Sequence, residues 1–392
     1  MPPNHTAERF RPFGTTIFAE MSRLAAEHDA VNLSQGFPDF DGPPFVKEAA
    51  KAAIDRAQNQ YARSAGVPDF VTAIAERFTD RTGMPIDPMA QVTVTSGCTE
   101  AIAATMLGLV NPGDEVILFE PYYDSYRACL AMAGAKARFV TLRPVNGRFT
   151  FDPDELARAF TTKTRAILVN TPHNPTGTVL TRDELTHIAT LCQQHDAIAI
   201  SDEVYEDLTF GHEHFSIGAL PGMSDRAVTL SSIGKSFSLT GWKVGWAIAS
   251  PEISSAIRSA HQFITFSTAT PFQYAAAIAL QQGDGYIAEL RQMYHQNRDR
   301  LAAALTEIGF DVIVPEGTYF ILAEHSRISQ KLGTTNDVEL ALKLTADFGV
   351  AAIPPSVFCA TDGHCANYLR FAFCKQEATL DEAIHRLRKI GS

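Results

Sequence analysis

Between residues 91 and 250 the chain alternates short, continuously apolar runs with longer stretches of helical periodicity. The runs at 91–95, 115–120, 137–142, 165–170, 197–201, 227–230 and 244–249 read as strands, and Ala166-Ile167-Leu168-Val169 and Ala197-Ile198-Ala199-Ile200 show no polar alternation. A strand apolar on both sides is buried on both faces, so helices are expected to cover the two sides of one mostly parallel sheet. The gap before the last strand is too short for a helical crossover, which needs about a dozen residues, and this strand is therefore expected to run antiparallel. Helices are predicted at 98–110 and 182–195. The second opens on Thr181 with Glu184 three positions later, the pattern of a capping box.

Past residue 281 the pattern changes. A helix at 286–308, strands at 311–324 and 368–374 and an amphipathic helix at 380–390 predict a second, smaller α+β domain. The leading segment contains Gly36-Phe37-Pro38 and Asp41-Gly42-Pro43-Pro44, and reads as irregular chain packing with the small domain. The expected organisation is thus a segment 1–44, a large α/β domain 45–280 and a small domain 281–392.

Composition narrows the partners. Thirty-three basic against 44 acidic residues give a net charge of −11, which repels phosphate backbones and anionic membranes, so any bound anion must be held locally. No run approaches the 18 or so apolar residues of a membrane helix, and no secretory pattern stands near Met1; a cytoplasmic location is expected. The six cysteines show no Cys-x-x-Cys spacing and are expected to be reduced thiols. Cys359, His364 and Cys365 lie close in sequence, but no fourth ligand stands at a recognisable spacing, so no metal is expected.

Three familiar nucleophile and nucleotide patterns fail. Thr229 stands where a Walker loop ending in Gly234-Lys235-Ser236 requires glycine. Gly283-Asp284-Gly285-Tyr286-Ile287-Ala288 follows a helical run instead of a strand, and Gly-x-Ser-x-Gly is absent.

Chemistry concentrates at strand ends. Lys235 follows the strand at 227–230 among small hydroxyl and glycine residues, where α/β sheets bind ligands. A partly desolvated lysine has a lowered pKa and can form a Schiff base with an aldehyde. Ser232 and Lys243 are placed to hold a phosphate beside it. Asp202 follows another buried strand, and Asn170-Thr171-Pro172-His173-Asn174-Pro175-Thr176-Gly177 ends a third. Taken singly, these are a surface lysine, a helix-capping aspartate and a turn; together they converge on one crevice.

These three blocks, with residues 32–40, Asn59-Gln60-Tyr61, Ser96-Gly97-Cys98-Thr99-Glu100, residues 120–124 and Tyr368-Leu369-Arg370-Phe371, resemble over nearly the entire chain the class I aminotransferases of pyridoxal-5′-phosphate (PLP) fold type I. Within that family the chain is most similar to the kynurenine, glutamine transaminase K and methionine aminotransferase group. The resemblance implies a mostly parallel seven-stranded sheet, PLP as cofactor, and amino acid and 2-oxo acid substrates exchanging an amino group in a ping-pong cycle. It implies that Lys235 carries the cofactor, Asp202 pairs with the pyridine nitrogen, Tyr205 and Asn174 bond the ring oxygen and Tyr123 stacks on the ring. Cys98, Thr99, Ser232 and Lys243 hold the phosphate, with Tyr61 reaching into the partner's site in a homodimer. Arg370, Asn174 and Gly36 receive the substrate carboxylate.

Phe13, Ile17, Phe37, Tyr123, Phe263, Phe266 and Tyr319 are expected to form an apolar side-chain pocket for a neutral, bulky substrate: methionine, aromatic, glutamine or kynurenine. Ser267 after Phe266 and Thr99 depart from the histidine and aromatic residue of animal kynurenine aminotransferases, which tilts the expectation toward a methionine-type or broad enzyme. The alternatives are a PLP β-lyase acting on cysteine conjugates and an aspartate- or alanine-type aminotransferase.

Overall fold

The computed structural model describes residues 5–14 and 16–390; residues 1–4, Thr15 and 391–392, including the start of the expected 1–44 segment, lie outside the described residues. Its central sheet has seven strands: β1 (Val92–Thr95), β2 (Glu115–Glu120), β3 (Lys136–Thr141), β4 (Thr164–Asn170), β5 (Ile198–Asp202), β6 (Ala227–Ser232) and β7 (Gly245–Ala249). Their order is β1-β7-β6-β5-β4-β2-β3. All neighbours are parallel except β7, which runs antiparallel to both β1 and β6. The short β6–β7 connection therefore did forbid a crossover, as the spacing predicted.

The doubly apolar strands divide their side chains between two cores. Ile167, Val169, Ala197 and Ala199 face one cluster with Leu185, Ile188 and Cys192 of the helix Arg182–Gln194. Ala166, Leu168, Ile198 and Ile200 face the other with Ala101, Ile102 and Met106 of the helix Gly97–Leu109. The capping box forms: the Thr181 hydroxyl accepts from the Glu184 N–H at 3.2 Å, and Glu184 accepts from the Thr181 N–H at 2.8 Å.

A three-stranded antiparallel sheet follows, with β8 (Asp311–Ile313), β9 (Phe320–Glu324) and β10 (Tyr368–Ala372) in the order β8-β9-β10. The single strand expected at 311–324 is thus two strands. Pro315 cannot donate to a ladder, and Gly317 packs so closely under Pro172 that an added Cβ would lie 2.8 Å from its ring, so residues 314–319 form a connection between paired strands.

The leading segment is also less irregular than its glycines and prolines suggest. Ile17–Glu27 is a helix whose Met21 and Ala25 enter one apolar cluster with Leu305, Leu340, Leu344 and Leu387. Met21 and Ala25 stand four residues apart and so share a helix face. Among the described residues no helix is long and apolar enough to cross a membrane.

Candidate active site

The C-terminal ends of β1, β2, β4, β5 and β6 open into a cavity of about 370 Å³, which residues 35–37 and the strands β9 and β10 close from the other side. Of the twelve residues singled out in the sequence, Gly36, Cys98, Thr99, Tyr123, Asn174, Asp202, Tyr205, Ser232, Lys235, Lys243 and Arg370 all line it. Tyr61 does not. It is 86% exposed and meets Phe266 edge-on at 5.5 Å.

At one end the cavity is built for an anion. The helix Gly97–Leu109 points its first turn inward, where N–H groups have no intrahelical acceptor and the helix dipole favours negative charge. Gly97 has φ of +73°, and a Cβ there would lie 3.1 Å from the Lys243 ammonium; glycine lets that cation lie against the helix end. Gly245 works from below, since a Cβ on it would meet the Cys98 nitrogen at 2.6 Å. The helix is pinned by a buried Glu100, which accepts from the Ser96 N–H and meets His261 Nδ1 at 2.6 Å.

Lys235 sits in the short helix Ile233–Ser236 directly after β6. Burial in the crevice pushes its amine down to about 8, against the opposing pull of Cys374 and Asp202. The Nζ lies 5.7 Å from the Tyr205 ring and 5.6 Å from the Tyr319 ring. Asp202 is buried at the end of β5, and burial raises its carboxyl above the usual range. Three donors counter that: the Tyr126 hydroxyl at 2.7 Å, the Val204 N–H at 3.3 Å and the Cys98 thiol at 3.6 Å.

Arg370 on β10 is 1% exposed. It donates to Asn174 Oδ1 at 3.1 Å and to the Ser34 carbonyl at 2.9 Å, while its Nε is buried without a partner. The rings of Phe320, Phe18 and Phe358 surround the guanidinium at 4.1, 5.2 and 5.6 Å. No carboxylate lies within ion-pair distance of it among the described residues, and burial lowers it to about 10. A desolvated cation without an acid is costly unless an incoming anion completes it.

Residues 28–387 match the family described as aminotransferase class I and II. The chain belongs to this family. The class I and II aminotransferases are PLP-dependent and exchange amino groups between amino acids and 2-oxo acids. This aminotransferase is 46% identical to a probable N-succinyldiaminopimelate aminotransferase of Mycobacterium tuberculosis, over 97% of this chain and 98% of the relative. The solved structure of the M. tuberculosis N-succinyldiaminopimelate aminotransferase superposes with a TM-score of 0.95 over 98% of this chain and 100% of that one, at 46% identity. The methionine aminotransferase of Escherichia coli is 43% identical over 96% of each chain, and human kynurenine–oxoglutarate transaminase 1 is 39% identical over 95% of each.

Sequence reading of the aminotransferase site missed Tyr126, Gln35, Phe18 and Phe320. Tyr126 left a trace: it lies three residues after Tyr123, a helix-face spacing, and the two rings meet edge-on at 5.6 Å. The expected apolar pocket is only partly formed. Phe37 and Tyr123 line the cavity, whereas Phe13, Ile17, Phe263, Phe266 and Tyr319 do not. Phe263 is 86% exposed, and Tyr319 is buried behind the wall with its hydroxyl donating to the Gly36 carbonyl at 2.5 Å.

The Tyr126–Asp202 bond gives a testable role. Hydrogen bonds to a charged partner contribute about 1.5–3 kcal/mol, so Tyr126→Phe is expected to lower kcat roughly ten- to a hundredfold with little change in KM. Its pH–rate profile should shift as Asp202 loses a donor that favours the carboxylate. An unchanged kcat and profile would make Tyr126 a packing residue.

Proposed function

We propose that this aminotransferase moves the amino group of a neutral, bulky amino acid, of the methionine, aromatic, glutamine or kynurenine kind, to a 2-oxo acid in a ping-pong cycle. The observation that carries the proposal is the buried Arg370 with a free Nε and no acid beside it, the partner a substrate α-carboxylate needs. The remaining wall supports the side-chain class: Phe18, Phe37, Ile102, Tyr123 and Phe320 are apolar or aromatic, and among the described residues the only cations lining the cavity are Lys235, Lys243 and Arg370.

The residues fit PLP. A phosphate suits the helix start at Cys98 and Thr99 with Ser232 and Lys243, a protonated ring nitrogen suits Asp202, and an aldehyde suits Lys235. When bound, PLP supplies the electron sink that acidifies the Cα–H of the amino substrate. Asp202, held by Tyr126, would pair with the ring nitrogen of bound cofactor, where a buried cation would offset the burial that raises the carboxyl. Tyr205 and Asn174 would hold the cofactor's ring oxygen, and Tyr123 would pack on its ring. Arg370, Asn174 and the backbone at Gly36 hold the α-carboxylate. Lys235 would carry the cofactor through its amine, and that same amine, buried in the crevice with its pKa lowered to about 8, is the group suited to take and return the Cα proton.

The lowered Lys235 pKa predicts how cofactor enters. Only the neutral amine attacks an aldehyde; with a pKa of about 8, roughly a tenth of the amines are neutral at pH 7, against a few in ten thousand for an ordinary lysine. Uptake of PLP by the apoenzyme, followed by absorbance, is expected to rise with pH up to about 8 and level off beyond. A rate still climbing toward pH 10 would contradict this.

A homodimer in the cytoplasm completes the proposal, as does the division into 1–44, 45–280 and 281–392. The exposed Tyr61, Phe263 and Phe266 support a dimer contact through which Tyr61 serves the partner's phosphate. Light scattering at the mass of one 42.7 kDa chain would refute it. A succinylated diamino acid is the second reading, favoured by the 46% identical M. tuberculosis relative.

Adding each amino acid singly to the loaded enzyme, without oxo acid, decides the substrate: loss of the visible cofactor band with stoichiometric 2-oxo acid release identifies a donor. Methionine or phenylalanine reacting with a higher kcat/KM than N-succinyldiaminopimelate supports the proposal, and the reverse order supports the second reading.

A further inference from the structure

Residues 359–367 join the turn Pro355–Phe358 to β10, the strand carrying Arg370. The fold supplies what sequence spacing left open there: one ligand atom each of Cys359, His364 and Cys365 lies within 4.8 Å of the other two. Gly363 and Cys365 take φ of +73° and +61°, which turns the chain back so that His364 and Cys365 face Cys359. Cys365 is 3% exposed, and the Nε2 of His364 is buried without a hydrogen-bond partner.

An independent observation adds a charge argument. Glu120, at the end of β2, is fully buried and has no cationic side chain within ion-pair distance among the described residues. It holds the same loop, accepting from the Ala360 and Thr361 N–H groups at 2.8 and 3.2 Å and from the Thr361 hydroxyl. A buried carboxylate beside two thiols and an imidazole makes a soft-donor pocket, with no lysine or arginine paired to the carboxylate among the described residues. The other three-residue donor cluster, Glu203, Glu206 and His214, differs: Glu206 is paired with Arg81 at 2.7 Å, and Glu203 meets His214 at 2.9 Å and accepts from Ser216 at 3.0 Å.

We propose that Cys359, His364 and Cys365 form a binding site for a zinc-class divalent cation, separate from the aminotransferase cavity, with water at the fourth position. Two thiolates and one imidazole are donors that zinc takes in tetrahedral geometry, and three protein ligands leave one position open. Binding releases the thiol protons to solvent and requires no oxidant or reductant. The cation would tie the loop to Glu120 and so stiffen the approach to β10.

The test uses the cofactor-loaded enzyme, reduced, equilibrated with zinc chloride or cobalt(II) chloride and then desalted. About one metal ion per chain should be retained, and the cobalt form should show the intense red-end absorption of a four-coordinate thiolate site, clear of the cofactor band. Cys359→Ser and Cys365→Ser should each lose the retained metal while transaminase turnover is kept. Should either variant misfold, alkylation of the unmodified enzyme serves instead: zinc should slow labelling of Cys359 and Cys365. No retained metal in the reduced enzyme, a six-coordinate cobalt spectrum, undiminished labelling with zinc, or a Cys359–Cys365 disulfide whose reduction is followed by no metal uptake would each overturn the proposal.

Discussion

Lys235→Ala is expected to abolish transamination, by roughly ten-thousand-fold or more, because in the proposed mechanism it removes both the covalent attachment and the base that moves the Cα proton. The fold should survive. Among the described residues Lys235 donates to no side chain that holds an element together, and burial disfavours its charge, as the lowered pKa records. The apo variant should therefore unfold at the temperature of the unmodified apoprotein or slightly above it. Absorbance supplies a second readout: the variant should release its cofactor on gel filtration, and borohydride should no longer fix it to the chain. Undiminished turnover in the variant would sink the assignment of Lys235 as the cofactor lysine.

Arg370→Lys is expected to be nearly as damaging to substrate use as Arg370→Ala. A guanidinium fork binds a carboxylate through two parallel bonds, and an ammonium offers a single point charge. Removing one partner of a buried, hydrogen-bonded charge pair costs about 2–5 kcal/mol, so kcat/KM should fall by roughly thirtyfold to a few thousandfold, mostly through KM. The two variants should differ in stability. Alanine leaves a void among Phe18, Phe320 and Phe358 and frees Asn174 Oδ1 and the Ser34 carbonyl, whereas lysine keeps part of the packing. If both variants keep the wild-type KM, Arg370 is a structural cation and the carboxylate is bound elsewhere.

The arginine also shows how a site residue can be legible without its reason being so. Its place beside Leu369 and Phe371 is that of any polar residue alternating along a half-exposed strand. Only the assembled fold buries it, by bringing residues 34–37 and Phe358 over β10 from opposite ends of the chain. The Glu100–His261 pair has the same character. Its members stand 161 residues apart, and nothing local to either marks a partner, yet the pair helps set the helix start proposed to hold the cofactor phosphate.

The sequence by itself determined the layered α/β architecture, the antiparallel β7, the Thr181 capping box and eleven of the residues that meet in the cavity. The architecture and the places of Lys235, Asp202, Ser232 and Lys243 follow from local rules, since strand burial leaves continuous apolar runs, a short connection cannot cross a sheet, and ligands gather where parallel strands end, whereas Gly36, Cys98, Thr99, Tyr123, Asn174, Tyr205 and Arg370 came from the resemblance to class I aminotransferases. The tertiary structure alone decided what depends on distant approach: Tyr126 on Asp202, the missing acid beside Arg370, the exclusion of Phe263 and Tyr319 from the cavity wall, and the convergence of Cys359, His364 and Cys365. The physical reason is common to all four. Hydrogen bonds, desolvation and metal coordination act over a few ångströms between atoms, and which atoms stand that close is fixed by packing between elements rather than by spacing along the chain.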